Sequence, residues 1–224
     1  MERPGSRAAI GAQPIVIEAA VESLQGALAA EADGANRLEL CANLSDGGTT
    51  PSASLVAAVL DKTKLPVFAM IRPRGGSFVY SDEEIAVMTT DIARIKRLGV
   101  AGIVTGALTP DARVDVECMR TLMSATAGLP VTFHRAFDRA PNLAGALEQL
   151  IPLGVSRVLT SGGAATALEG ASEISALVAQ ARDRITILAG GGVRAHNVRE
   201  LVALARVCEV HARQVRGIRQ ALTG

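Results

Sequence analysis

The chain has 224 residues, 49% of them apolar, which at roughly 150 residues per domain reads as one large domain with enough hydrophobic content for a core. Its 23 basic and 22 acidic side chains sum to a net charge of +1, so no long-range field draws it to nucleic acid or to an anionic membrane. Four Phe, one Tyr and no Trp exclude an aromatic stacking platform for single strands.

Residues 1–13 read as a flexible N-terminal tail and 14–224 as one domain. Strand-forming runs then alternate with helical ones along the chain. The strand candidates are 15–20, 37–41, 67–72, 102–107, 131–137, 157–161, 185–189 and, more weakly patterned, 209–212. Between them lie stretches with helical spacing of apolar residues, among them 22–33, 82–98 (Ile85, Met88, Ile92, Ile95), 142–153 and 197–206. Gly34, Gly99 and Gly154 each precede a strand start by three residues, a turn in which glycine caps the helix left-handed. Pro66 and Pro130 instead stop a helix directly before a strand. Asn197 followed by Glu200 resembles a capping box for the last long helix. Eight βα units in this length predict a compact (β/α)8 TIM barrel.

Alternation along a strand sends side chains to opposite faces. With Ile15, Ile17, Leu38, Leu40, Val67, Ala69, Val131 and Phe133 facing the helices, the inward set includes Glu18, Arg37, Glu39, Cys41, Arg72, Thr132 and His134. Glu18, Glu39, Arg72 and His134 thus converge near strand carboxyl ends, where barrel enzymes place their chemistry. They predict a polar pocket: Arg72 holds an anion, His134 transfers a proton, and Glu39 or Glu18 orients it or moves a second proton. The alternative is a closed structural network with Glu18–Arg72 or Glu39–Arg37 ion pairs. Arg74 and the Gly75-Gly76 turn follow Arg72. Thr160-Ser161-Gly162-Gly163 and Gly190-Gly191-Gly192-Val193 follow the sixth and seventh strands, where backbone N–H groups of such loops bind phosphate in many barrels. Arg72, Arg74, Thr160, Ser161, Gly162, Gly191 and Gly192 are therefore candidate anion contacts.

Cys41, Cys118 and Cys208 are distant in sequence and form no C-x-x-C pair, which argues against a disulfide framework or a zinc ribbon. For a soft metal the candidates are Cys41 and His134, with His211 able to approach in a closed barrel; Cys118 and Cys208 read as buried small residues, and His196 as solvated. No run approaches the roughly 18 apolar residues of a membrane span, and no apolar stretch follows the charged opening before Pro14, so the chain reads as cytoplasmic.

Arg37-Leu38-Glu39-Leu40-Cys41, Gly47-Gly48-Thr49-Thr50-Pro51-Ser52, Met70-Ile71-Arg72-Pro73-Arg74-Gly75-Gly76 with Phe78-Val79-Tyr80, Thr132-Phe133-His134-Arg135-Ala136-Phe137-Asp138, Leu159-Thr160-Ser161-Gly162-Gly163 and Gly190-Gly191-Gly192-Val193 together resemble the CutC copper homeostasis proteins. The resemblance runs from about Ile17 to His211. It implies a cytoplasmic (β/α)8 barrel, often homo-oligomeric, that binds copper. Where the family usually carries a second cysteine this chain has Ala20, leaving Cys41 of the implied thiol pair. Ala212-Arg213-Gln214 leads almost directly into the last helix, so the eighth βα unit is shortened relative to the family.

Two functions follow. As a copper homeostasis protein the chain binds or buffers copper through Cys41, His134 and methionines. As an enzyme of isomerase, aldolase or lyase type it acts on a small anionic or phosphorylated metabolite held by Arg72 and the late glycine loops. A barrel used only as an interaction scaffold is a third class.

Overall fold

The computed structural model describes residues 14–223; the tail expected over 1–13 lies outside the described residues. Eight parallel strands, β1 (Val16–Val21), β2 (Arg37–Leu40), β3 (Val67–Met70), β4 (Gly102–Thr105), β5 (Val131–Phe133), β6 (Arg157–Thr160), β7 (Thr186–Gly190) and β8 (Glu209–Ala212), pair in sequence order. The register Val16–Glu209 to Ala19–Ala212 joins β8 back to β1 and closes the ring. Helices α1 (Leu24–Ala32), α2 (Ala53–Lys62), α3 (Asp82–Lys96), α4 (Val116–Thr126), α5 (Leu143–Leu150), α6 (Ala171–Ala181), α7 (Val198–Ala205) and α8 (Ile218–Thr223) alternate with the strands. The fold is the (β/α)8 barrel. Its eighth unit is short but present: residues 213–217 connect β8 to the six-residue α8. No helix among the described residues is long and apolar enough to cross a membrane.

Local chemistry sets these boundaries. Gly34, Gly99 and Gly154 take φ of 91°, 94° and 77°, ending one helical segment and turning the chain into β2, β4 and β6. Ser23, Ser52, Ser81, Asp115 and Asn142 each accept a hydrogen bond from a first-turn N–H, worth about 1 kcal/mol apiece. The capping box belongs to Ser81 and Glu84. The one expected at Asn197 and Glu200 does not form. The Asn197 side chain instead accepts from the Arg194 N–H at 2.8 Å and donates to the Gly192 carbonyl at 2.9 Å, tying down the glycine loop. The fifth strand, expected to reach residue 137, stops at Phe133. There His134 Nδ1 accepts the Ala136 N–H at 3.3 Å and starts the 3-10 turn Arg135–Arg139.

The main core lies between strands and helices. Ile17, Leu38, Leu40, Val67, Ile103, Val131, Phe133 and Val158 pack against Met88, Ile92, Ile95, Leu122 and Leu147, each large side chain stabilising the fold by roughly 1.5–3 kcal/mol. Inside the ring the only separate apolar cluster of buried residues, among those described, is Cys41, Phe68, Met70 and Val104. A Cβ at Gly102 would lie 2.2 Å from the Phe68 ring, so a bare α-carbon on β4 is what admits that ring. The rest of the buried interior mixes Ala20, Leu159 and Leu188 with polar and charged side chains.

Candidate functional site at the carboxyl end of the barrel

The floor of the site is an ion network rather than an aliphatic layer. Arg37, first residue of β2, donates to Glu18 Oε2 at 2.5 Å and to Glu209 Oε2 at 2.6 Å. Arg157, first residue of β6, donates to both oxygens of Glu209 at 2.6 and 3.1 Å. Both guanidiniums lie over the Phe68 ring, at 5.2 and 5.5 Å from its centre. Neither of the pairings considered from sequence, Glu18–Arg72 or Glu39–Arg37, forms: Glu18 and Glu39 sit in the network, but the cation on Glu18 is Arg37.

Above the floor the two carboxylates meet a histidine. His211 Nδ1 is 2.9 Å from Glu18 Oε1 and its Nε2 is 3.2 Å from Glu39 Oε2. Burial opposes charge on the imidazole, yet Glu39 and Glu18 outweigh it and its pKa lies above the usual value. Burial also opposes the Glu18 carboxylate, but the hydrogen bond from His211 and the charge of Arg37 bring its pKa down to about 2. Glu39 is pushed up by burial and by Glu18 against the pull of His211. Three cations (Arg37, Arg157, His211) thus face three carboxylates (Glu18, Glu39, Glu209), and a proton passing from His211 to Glu39 leaves the sum at zero. One ligand atom each from Glu18, Glu39 and His211 lies within 4.8 Å of the others, close enough to converge on a metal ion. Burial, together with the charges of Glu39 and Glu18, drives the neighbouring Cys41 thiol well above its usual pKa.

Glu39 and His211 open onto a cavity of about 830 Å³ at the carboxyl ends of the strands, which Ala20, Met70, Arg72, His134, Arg194 and Arg213 also line. Arg72 is buried; its terminal nitrogens donate to the carbonyls of Asp46, Gly48 and Gly76 at 2.9–3.0 Å. His134 faces the same cavity, but neither Glu39 nor Glu18 orients it; that relation belongs to His211. Burial, reinforced by the Arg72 charge, lowers the His134 pKa to about 3, so the ring is neutral at ordinary pH. Gly106, just past the end of β4, leaves room for the ring, since a Cβ there would stand 2.7 Å from His134 Nδ1.

Arg74 does not join this group. It pairs with Glu84 at 2.6 Å and braces the carbonyls of Ser77 and Val79. The loop after β6 is occupied from within: Asp138 accepts from Thr160 Oγ1 at 2.5 Å, from the Ser161 N–H at 3.0 Å and from the Gly163 N–H at 3.2 Å, while Arg135 binds its other oxygen at 2.8 Å. Gly162 donates to Thr160 Oγ1 at 2.8 Å. A built-in carboxylate therefore sits where an anion was expected at Thr160, Ser161 and Gly162. Gly191 and Gly192 do border the cavity. Arg213, from the short eighth loop, donates to the Leu44 carbonyl and bridges that side of the mouth. Cys118 is buried, whereas Cys208, expected inside, is exposed, because it precedes β8 at the rim of a second, shallower pocket.

Sequence reasoning underused His211 and passed over Asp138 and the Glu209 contacts. For the first and last the signal was present: alternation in 209–212 puts Glu209 and His211 on one face, and β1 pairs Glu18 with His211. Asp138 lies in a turn, where no periodicity reports direction.

The sequence model of the CutC family matches residues 15–216. This chain belongs to the CutC family. It is 46% identical over 200 residues to the human copper homeostasis protein cutC homolog, covering 89% of this chain and 73% of that protein. It is 48% identical over 196 residues to a CutC family protein of Xylella fastidiosa strain Temecula1, covering 88% and 73%. The crystal structure of a copper homeostasis protein CutC from Streptococcus agalactiae superposes with a TM-score of 0.86 at 37% identity, covering 90% of this chain and 99% of that one. More distant barrels, an aldolase (TM-score 0.65, 17% identity) and a phosphonomutase of Burkholderia cenocepacia (0.62, 16%), share the fold with this CutC chain and lend it no chemistry.

Proposed function

We propose that this chain serves copper homeostasis by holding copper as cargo at the barrel mouth, with the Cys41 thiol and the His211 imidazole on either side of Glu39. One observation carries the reading: these groups are contiguous. The Glu39 carboxylate is close enough to Cys41 to raise its thiol pKa, and Glu39 Oε2 lies 3.2 Å from His211 Nε2 on the cavity wall. Thiolate and imidazole both suit copper, and thiolate and thioether select its cuprous form. Met70 supplies the thioether: a Cβ at Gly48 would fall 3.1 Å from Cys41 Sγ and 3.3 Å from Met70 Cε, so the two sulfur side chains border one small space. Ala20, in place of a second cysteine, makes this a one-thiol site. His134 is poorly suited to a cation, because Arg72 repels positive charge there and its Nδ1 already accepts the Ala136 N–H. The family resemblance extends the reading to a cytoplasmic homo-oligomer.

Loading must displace the thiol proton, since burial and the charges of Glu39 and Glu18 hold that group protonated well beyond the usual thiol range. Copper affinity then falls about tenfold for each pH unit lost per proton released. Competition with a chromophoric cuprous chelator under anaerobic, reducing conditions between pH 6 and 8 measures this. The expected slope lies between one proton (Cys41) and two (Cys41 and His211), and Cys41→Ser weakens binding by at least about tenfold. Affinity independent of pH, or unchanged in the variant, overturns the reading.

A further inference from the structure

Arg72 is unusual among the interior cations. It is 3% exposed, yet among the described residues no carboxylate pairs with it, whereas Arg37 meets two and Arg157 one. Carbonyl oxygens take three of its four terminal N–H groups but bring no negative charge, and its Nε–H has no hydrogen-bond acceptor among the described residues, the Tyr80 hydroxyl beside it being buried and unpartnered as well. A buried charge without a counter-ion is costly. Beside it is a second unmet donor. His134 Nδ1 accepts the Ala136 N–H, which places the proton of the neutral ring on Nε2, and that atom too is buried without a partner among the described residues. The Phe78 ring touches both, 4.7 Å from the Arg72 guanidinium and 5.0 Å from the His134 ring centre. Both residues line the cavity.

The partly exposed glycine loop after β7 also presents donors to the cavity. The carbonyls of Gly191 and Gly192 are taken by the Ala167 N–H and by Asn197, which fixes the peptide planes. The N–H groups of Gly191, Gly192 and Val193 have no acceptor among the described residues. Arg194 follows, and all four residues border the cavity. A cavity of about 830 Å³ is in the size range of metabolite sites.

We propose that the barrel mouth binds a small organic molecule with two acidic groups, one held by Arg72 and His134 and the other by the Gly191–Val193 amides with Arg194. The site shares the cavity with the proposed copper ligands but none of their residues, and needs no metal. A neutral histidine donates to an oxyanion without changing charge, as an imidazole held near pKa 3 does across physiological pH.

Isothermal titration of chelator-treated protein with 3-phosphoglycerate, lactate and inorganic phosphate tests this. The expected result is saturable binding of 3-phosphoglycerate, at least about tenfold tighter than either single-acid probe. His134→Ala weakens it by roughly 10- to 100-fold, the worth of one hydrogen bond to a charged group. His134→Gln, which keeps an N–H donor, restores most of the affinity, and Arg72→Lys gives an intermediate loss; circular dichroism verifies that each variant is folded. No saturation with any probe, phosphate alone binding as tightly as 3-phosphoglycerate, or His134→Ala leaving binding unchanged overturns the proposal. So does a Gln variant no better than Ala, which assigns the loss to packing. Because copper is absent throughout, failure here leaves the copper reading standing.

Discussion

His134 should make the protein sensitive to mild acid in a way that one substitution removes. The ring is buried, and with Arg72 beside it its pKa in the folded state is about 3, against 6.5 for an ordinary imidazole. Below pH 6.5 the unfolded chain takes up a proton that the folded chain refuses. The stability this group contributes is therefore complete above pH 6.5 and is lost as pH falls toward 3, at about 1.4 kcal/mol per unit. At pH 5.0 the loss is about 2 kcal/mol relative to pH 7.5. His134→Leu keeps a side chain of similar bulk and removes the titration. Urea unfolding of both proteins at the two pH values should show the difference between them shrinking by about 2 kcal/mol at pH 5.0. Titration of Glu18, Glu39 and His211 is common to both proteins and cancels. A stability difference equal at both pH values would refute a neutral, desolvated His134.

Arg37→Met strips the shared cation from Glu18 and Glu209 and leaves two buried carboxylates partly uncompensated. It should destabilise by about 3–5 kcal/mol, lowering the melting temperature by roughly 6–20 °C for a chain of this size; a fall under about 3 °C would mean that the floor network is dispensable. Asp138→Asn removes the charge that gathers Thr160, Ser161, Gly163 and Arg135. It should cost about 2 kcal/mol and speed amide hydrogen exchange over residues 160–164, and unchanged exchange there would show that the loop holds itself.

The barrel was legible in the sequence because its signals are local and repeated. Helix-capping glycines at Gly34, Gly99 and Gly154 and strand-starting prolines at Pro66 and Pro130 mark the junctions, and alternation in β1, β2 and β3 separated the helix-facing aliphatic residues from Glu18, Glu39 and Arg72. Partner choice was not legible. Whether Glu18 meets Arg72 or Arg37 depends on the stagger of strands around a closed ring, and the register that pairs Glu18 with Arg37 and His211 is set by contacts far apart in sequence. Turns hid the rest. His134 ends its strand because its own ring captures a backbone N–H, and Asp138, one turn later, fills the β6 loop; neither event leaves a period in the sequence. Asn197 misled for a related reason: its side chain can serve a helix start or the loop before it, and here it serves the loop.

Copper-edge X-ray absorption of cuprous-loaded protein, wild type beside Cys41→Ser, most directly tests the copper site. The expected wild-type spectrum contains a sulfur shell together with the outer-shell scattering of an imidazole, and the serine variant loses its thiolate sulfur. Copper bound in both proteins with the same nitrogen and oxygen neighbours, and no sulfur in either, would contradict a site built on Cys41 and His211.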